Sequence, residues 1–197
     1  PTWERFPLVL EYIESYDYVM WIDADAHFYL DAPSLENIIN KYNKDIILSK
    51  DIENINDTPP NINAGVFILK NTQQVIDIVN KWAYSDELKE KSKDAYPGRW
   101  IEDQAIIRWF VKHNIDNIND ITVVLPYKEI QHFLEEELKE NIVPYVHHFA
   151  GTSTKDRKLE SKKYLKTISN NNTGLIPGII VGSLVLMLIL YYIIYRN

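Results

Sequence analysis

Apolar residues occur along the chain in two patterns, short continuous runs and longer segments with helical spacing. Continuous runs bounded by polar residues predict strands buried on both faces, and the 3.6-residue spacing predicts helices with one buried face. The predicted strands are residues 18–22, 46–48, 66–69, 121–125 and 145–149. The predicted helices are residues 8–16, 35–42, 73–84 and 101–113, and the residues predicted to cap their starts are Ser34 for the second and the pair Asn71-Thr72 for the third. This alternation indicates an α/β domain with a mostly parallel sheet.

Two stretches between these elements have a different character. Residues 52–63, IENINDTPPNIN, contain two adjacent prolines and are predicted to form a loop. Residues 86–98, DELKEKSKDAYPG, are mostly polar and precede the last long predicted helix. The sequence contains neither a G-x-G-x-x-G motif nor a P-loop, so nucleotide binding through a glycine-rich helix start is not supported.

The C-terminal region has the most apolar segment of the chain. Residues 175–195 carry no charge until Arg196, and about 20 apolar residues suffice for a helix to cross a bilayer. We therefore predict a domain at 1–154, a basic and polar linker at 155–174 and a transmembrane helix at 175–195. The positive-inside rule favours a cytoplasmic domain, whereas glycosylation sequons at Asn56 and Asn171 favour the lumenal side. A GxxxG beginning at Gly178 leaves a homodimer open.

Composition limits the classes of partner. The chain of 197 residues carries a net charge of −7, and residues 155–166 contribute about +4, which with Arg196 leaves about −12 for residues 1–154. This acidic body argues against a nucleic-acid partner, because phosphate binding needs a basic face. Cysteine is absent, so no disulfide or thiolate metal site exists. The first residue is Pro1, and we interpret the sequence as N-terminally incomplete.

Two aspartates follow the first predicted strand. Asp23 and Asp25 end the run YVMWI, and alternate residues of an extended chain point the same way, so both carboxylates can reach one point. A hard divalent cation would relieve their mutual repulsion, and Mg²⁺ or Mn²⁺ suits such oxygen ligands. Taken alone, the motif favours a capped, solvated strand end over a metal site.

Three further stretches add polar groups near other predicted strands and helices. Asn63, Ala64 and Gly65 stand directly before the strand 66–69, where an amide and a glycine would let a ligand approach the backbone. The second group, Glu102, Asp103 and Gln104, opens a helix, where the helix dipole also favours carboxylates. The third is the pair His147 and His148 in the last strand, and one imidazole there would complete an oxygen and nitrogen site suited to Mn²⁺.

Taken in order, the motifs WIDADAHF, NAGVFILKN, VNKWA, EDQAII and HHFAG resemble family 34 glycosyltransferases, which transfer galactosyl, xylosyl or mannosyl groups and have the GT-A fold. The resemblance covers residues 3–153. It implies a retaining transferase that uses a UDP- or GDP-sugar, a glycan acceptor and Mn²⁺ or Mg²⁺. We therefore expect an enzyme in an endomembrane, such as the Golgi or the endoplasmic reticulum.

The resemblance also implies roles for individual residues. Asp23, Asp25 and His148 would hold the metal, with Asp23 also close to the donor diphosphate; His147 is the alternative histidine. The donor sugar and the acceptor would be lined by Asn63, Ala64, Gly65 and Gly151. Glu102, Asp103 and Gln104 would orient the reacting sugar and stabilise positive charge on it.

The sequence also departs from the family pattern. Only about 20 residues precede the aspartate pair, Ser153 stands where a lysine is frequent, and the apolar segment is C-terminal instead of N-terminal. These departures leave an alternative, a catalytically impaired homologue that acts as a membrane-bound binding module. A metal hydrolase that uses Asp23, Asp25 and His148 is a second alternative, but it would leave Asn63, Gly65, Asp103 and Gln104 without a role.

Overall fold

The computed structural model describes residues 2–29, 32–51, 61–93, 102–132 and 145–149, together with positions 155 and 162. The strands are β1 (Tyr18–Ile22), β2 (Ala26–Phe28), β3 (Ile46–Lys50), β4 (Ile62–Lys70), β5 (Thr122–Leu125), β6 (Gln131–His132) and β7 (Val146–His148). The helices are α1 (Arg5–Ile13), α2 (Leu35–Tyr42), α3 (Gln73–Tyr84), α4 (Asp86–Ser92), α5 (Glu102–His113), α6 (Ile118–Ile121) and α7 (Tyr127–Ile130). The prediction of a mixed α/β domain is confirmed.

The strands form two sheets. The larger has the order β1-β4-β3-β5, and the smaller has the order β2-β7-β6. Strand β4 runs antiparallel to both β1 and β3, and β2 runs antiparallel to β7; only the β3–β5 and β6–β7 pairs are parallel. The expectation of a mostly parallel sheet is therefore wrong for the described strands. A parallel partner needs a long crossover, usually a helix, and the sequence between β3 and β4 has no helical periodicity.

Apolar side chains cover both faces of the larger sheet. One face packs against α1, α3 and α5 through a cluster that includes Phe6, Trp82 and Phe110, all fully buried. The other face packs against α2 through Ile38 and Ile39. Burial on both faces explains why these strands read as continuous apolar runs in the sequence.

Several local predictions are confirmed and others need correction. The Ser34 and Thr72 side chains accept hydrogen bonds from the backbone N–H groups of Glu36 and Val75, as expected of N-caps. The polar stretch after Tyr84 contains α4, whose N-cap is Ser85. Strand β4 begins at Ile62, so Asn63, Ala64 and Gly65 lie within the strand rather than before it.

The predicted C-terminal span cannot be compared with the structure, because residues 175–195 lie outside the described part of the chain. Within the described part, no helix is both long enough and apolar enough to cross a membrane. Gly151 also lies outside the described residues.

Candidate active site

The site is built where β1 ends beside β4. The backbone N–H of Asp23 donates to the Gly65 carbonyl oxygen over 2.8 Å, which carries the β1–β4 pairing one residue past Ile22. The chain then turns sharply, since the Ala26 N–H donates to the Asp23 carbonyl over 3.0 Å, and enters β2. About a quarter of each carboxylate side chain, Asp23 and Asp25, remains exposed. Both carboxylates are therefore held in place and open to a ligand.

A histidine from the second sheet faces this pair. In the β2–β7 register His148 lies opposite Ala26, and its Nε2 is 3.3 Å from Asp25 Oδ1 and 3.8 Å from Asp23 Oδ2. His147 projects from the other face of β7, where Tyr29 Oη lies 3.2 Å from its Nδ1 and its ring stacks on that of His27. Strand alternation thus separates the two histidines, and His148 is the one that faces the carboxylates.

Gly65 provides the room that the His148 ring occupies. A Cβ atom at Gly65 would lie 2.0 Å from Cε1 of that ring, far closer than non-bonded carbon atoms approach each other. The backbone of Gly65 is not in the left-handed region. The glycine is therefore required by the packing of His148, not by the conformation of its own backbone.

Arg5 is a buried cation at the centre of the site. Its Nε lies 2.7 Å from Asp103 Oδ2, its Nη2 lies 3.3 Å from Asp23 Oδ1, and its Nη1 donates to the Ala64 carbonyl. The guanidinium also lies 5.2 Å from the centre of the Trp21 ring, whose Nε1 donates to Asp23 Oδ1 over 2.7 Å. Arg5 thus connects α1 to β1, β4 and α5 through charged and hydrogen-bonded contacts.

The other predicted residues hold β4 in place. Gln104 Oε1 accepts the Ala64 N–H over 3.0 Å, and its Nε2 donates to Asp51 Oδ2 over 3.3 Å. Asn63 folds its side chain back on its own strand, since its Oδ1 accepts the Gly65 N–H over 2.9 Å. Glu102 is the first residue of α5, and its side chain lies outside the described part.

The electrostatics centre on Asp103, which is 2% exposed. Burial raises the pKa of its carboxyl, and the neighbouring Arg5 guanidinium opposes that shift. The carboxylate also accepts the backbone N–H of Gln104 over 2.8 Å. Asp103 therefore depends on Arg5 to remain ionised in this interior.

The three residues Asp23, Asp25 and His148 fit a divalent metal ion. Each offers one ligand atom, and these atoms lie within 4.8 Å of one another. An octahedral ion with ligands at about 2.1 Å sets adjacent ligands about 3.0 Å apart and opposite ones about 4.2 Å apart. The observed separations of 3.3 and 3.8 Å fall in that interval. The two carboxylate oxygens suit either Mn²⁺ or Mg²⁺, and the added imidazole nitrogen favours Mn²⁺.

Sequence reasoning missed two residues of this site, Arg5 and Gln131. Arg5 lies in line with Val9 and Ile13 at helical spacing, so its position on the buried stripe of α1 was a readable signal. Gln131, whose Oε1 lies 3.0 Å from His148 Nδ1, follows a short helix and carries no such signal.

Fold and site together define an α/β protein with a carboxylate and histidine cluster at the end of a mixed sheet. The chain belongs to the nucleotide-diphospho-sugar transferase family, whose sequence model matches residues 2–161. A similar fold occurs in the crystal structure of a glycosyltransferase involved in the glycosylation of the major capsid of PBCV-1, with a TM-score of 0.56. That match covers 81% of this chain and 74% of the other at 13% identity, so it concerns the fold alone. No curated protein matches the chain.

The family match confirms the expected class of protein, a glycosyltransferase that uses a nucleotide-diphospho-sugar. It does not single out family 34, which stays a prediction.

Proposed function

We propose that this protein is a metal-dependent, retaining glycosyltransferase of family 34. It would move a hexosyl or pentosyl group from a UDP- or GDP-sugar to a glycan or protein-linked acceptor. The observation that carries the proposal is the cluster of Asp23, Asp25 and His148, found in a chain of the nucleotide-diphospho-sugar transferase family. A Mn²⁺ or Mg²⁺ ion held there would neutralise charge on the departing nucleoside diphosphate.

The contacts of Asp103 argue against a carboxylate nucleophile at that position, so the retaining reaction that we propose does not use one there. Its Oδ1 accepts a backbone N–H, its Oδ2 faces Arg5, and only 2% of the residue is exposed. A carboxylate so enclosed has little freedom to attack a sugar. The proposal therefore gives Asp103 and Gln104 the role of holding the donor side of the site, with Glu102 beside them. The acceptor hydroxyl would attack from the face that the diphosphate leaves.

Donor turnover by the purified full-length protein tests the proposal. Wild type, Asp25→Asn and the control Asp77→Asn, which changes an exposed aspartate on α3, are offered a panel of UDP- and GDP-sugars with Mn²⁺, with Mg²⁺ and with EDTA. We expect release of UDP or GDP by wild type and by the control, only with metal, and a loss of at least 100-fold in Asp25→Asn. NMR of the transferred sugar then reports the anomeric configuration.

Other outcomes separate the alternatives. Release that survives EDTA would contradict the metal dependence, and an inverted product would contradict retention. If every donor is inert while the protein still binds glycans, the catalytically impaired binding module is the better description.

The proposal includes a membrane anchor at residues 175–195, in an endomembrane. Resistance to extraction by alkaline carbonate, lost when these residues are deleted, tests the anchor. A shift in mobility on treatment with a glycosidase, abolished by Asn171→Gln and Asn56→Gln, would place the domain on the lumenal side.

A further inference from the structure

Behind the candidate metal site, a buried glutamine touches the ring of His148. Gln131 is fully buried in β6, and its Oε1 lies 3.0 Å from His148 Nδ1, on the opposite side of the ring from Asp25. Within the described part of the chain, Gln131 Nε2 is buried and has no hydrogen-bond partner. Among the described residues, the side-chain amide of Gln131 therefore has one hydrogen-bonding partner, which is His148.

Which ring nitrogen of His148 carries the hydrogen decides whether the other nitrogen can bind a metal. When Nδ1 carries the hydrogen and donates to Gln131 Oε1, Nε2 presents a lone pair toward Asp23 and Asp25. When the amide is turned over, its NH₂ group donates to Nδ1 and the ring hydrogen moves to Nε2. The ring would then donate to Asp25 Oδ1, 3.3 Å away, and would have no lone pair for a metal.

We propose that Gln131 is a positioning residue that holds His148 in the Nδ1–H tautomer, with Nε2 ready to bind the metal. This inference rests on the proposed function, because it assigns Gln131 to the same metal site. Histidine ligands generally donate their second ring N–H to a neighbouring acceptor, which fixes both tautomer and ring orientation. The carbonyl oxygen of Gln131 is that acceptor.

The surroundings of Gln131 keep the acceptor in place. Strand β6 pairs with β7, with Gln131 opposite Val146. The helix α7 that leads into β6 is tied to α2, because Glu129 accepts hydrogen bonds from both Lys41 Nζ and Tyr42 Oη. Gly65, next to Cε1 of the ring, leaves the space that His148 fills.

A neutral amide also suits the charge of the site. Asp23 and Asp25 already place two carboxylates around His148, and Asp103 adds a third near Arg5. A glutamate at position 131 would accept the same hydrogen bond but would bury one more negative charge. Glutamine supplies the acceptor without that charge.

Metal binding without any sugar nucleotide tests the inference. Mn²⁺ titration, followed by the EPR signal of free Mn²⁺, is measured for full-length wild type, Gln131→Met, Gln131→Glu, Asp25→Asn and the surface control Gln73→Met. We expect Gln131→Met to bind Mn²⁺ about 10- to 100-fold more weakly than wild type, the usual effect of losing a hydrogen-bond partner of a metal ligand. Its melting temperature should stay within a few degrees of the wild-type value. Gln131→Glu keeps the acceptor and should retain binding to within a few-fold.

A second measurement reads the tautomer directly. The chain has five histidines, and the ¹⁵N shifts of His148, assigned by loss of its signals in His148→Gln, distinguish Nδ1–H from Nε2–H. We expect Nδ1–H in wild type and a mixture in Gln131→Met. An Nε2–H ring in wild type overturns the inference even if the variants fail to fold.

The outcomes separate this inference from the proposed function. If Gln131→Met binds Mn²⁺ as tightly as wild type while Asp25→Asn binds it more weakly, the role of Gln131 is overturned and the metal site stands. Absence of Mn²⁺ binding by wild type overturns both the metal dependence and this role.

Discussion

Replacing Gly65 by alanine puts a single methyl group against the ring of His148. The added Cβ would lie 2.0 Å from Cε1, 2.7 Å from Nδ1 and 2.8 Å from Nε2. Ordinary contact begins at 3.4 Å, so the ring has to retreat by about 1.4 Å unless β4 itself moves. Metal ligands tolerate errors of only about 0.2 Å, and the displaced imidazole would therefore no longer reach an ion shared with Asp23 and Asp25.

Two magnitudes follow from this displacement. Overpacking of a filled interior costs about 1–3 kcal/mol, and we expect Gly65→Ala to lose that much free energy of unfolding. Mn²⁺ affinity should fall by at least 10-fold because one of three protein ligands is displaced. Urea unfolding followed by circular dichroism gives the first quantity, and Mn²⁺ titration followed by EPR gives the second.

A double-mutant cycle isolates the clash. In His148→Ala the ring is gone, and the Gly65 backbone is compatible with alanine, so adding Gly65→Ala should stabilise the protein by about 0.4–1 kcal/mol. The sign of the effect therefore reverses between the two backgrounds. Equal destabilisation in both, or unchanged Mn²⁺ affinity in the single variant, would refute the reasoning.

Two further predictions concern buried charge. Arg5→Met should cost about 3–5 kcal/mol in urea unfolding, because it removes the counter-ion of Asp103 and leaves that carboxyl either charged and unpaired or forced to take up a proton; a cost below about 1 kcal/mol would mean that the ion pair contributes little. Burial lowers the pKa of His27 below its ordinary 6.5, so the unfolded chain takes up this proton first and stability falls as pH drops below about 6.5. His27→Phe should reduce that slope, measured by unfolding between pH 7.5 and 5.5, by up to about 1.4 kcal/mol per pH unit; an unchanged slope would contradict it.

Local patterns predicted most of the helices and strands, because each depends on a stripe or run of apolar residues that neighbouring sequence displays. Thr72 and Ser34 marked helix starts by the capping chemistry of their hydroxyl groups. Strand direction was harder, since a continuous apolar run is the same whichever way the strand runs. The absence of a helical pattern between β3 and β4 was the available signal for antiparallel pairing.

The candidate site likewise contains some residues that the sequence could predict and others that it could not. Asp23 and Asp25 are two positions apart, so the sequence was enough to place their carboxylates near each other, although a turn between β1 and β2 brings them together and not the strand alternation that the prediction assumed. The family resemblance selected His148 over His147, but the residues alone could not, because that choice depends on the β2–β7 register, a contact between residues more than 100 positions apart. The sequence did not predict Gln131 either, since only the β6–β7 pairing brings it next to His148.

Because β4 is antiparallel to β1, its segment Asn63-Ala64-Gly65 lies at the site. Strand β1 ends opposite Val66, so the residues of β4 before that point have backbone groups no longer needed by β1. The Ala64 N–H is taken by Gln104, the Ala64 carbonyl by Arg5, and the Gly65 carbonyl by Asp23. The segment therefore acts through its main chain, and small side chains keep that main chain within reach. A parallel β4 would have placed its first residues beside the start of β1, at the other end of the strand from both aspartates.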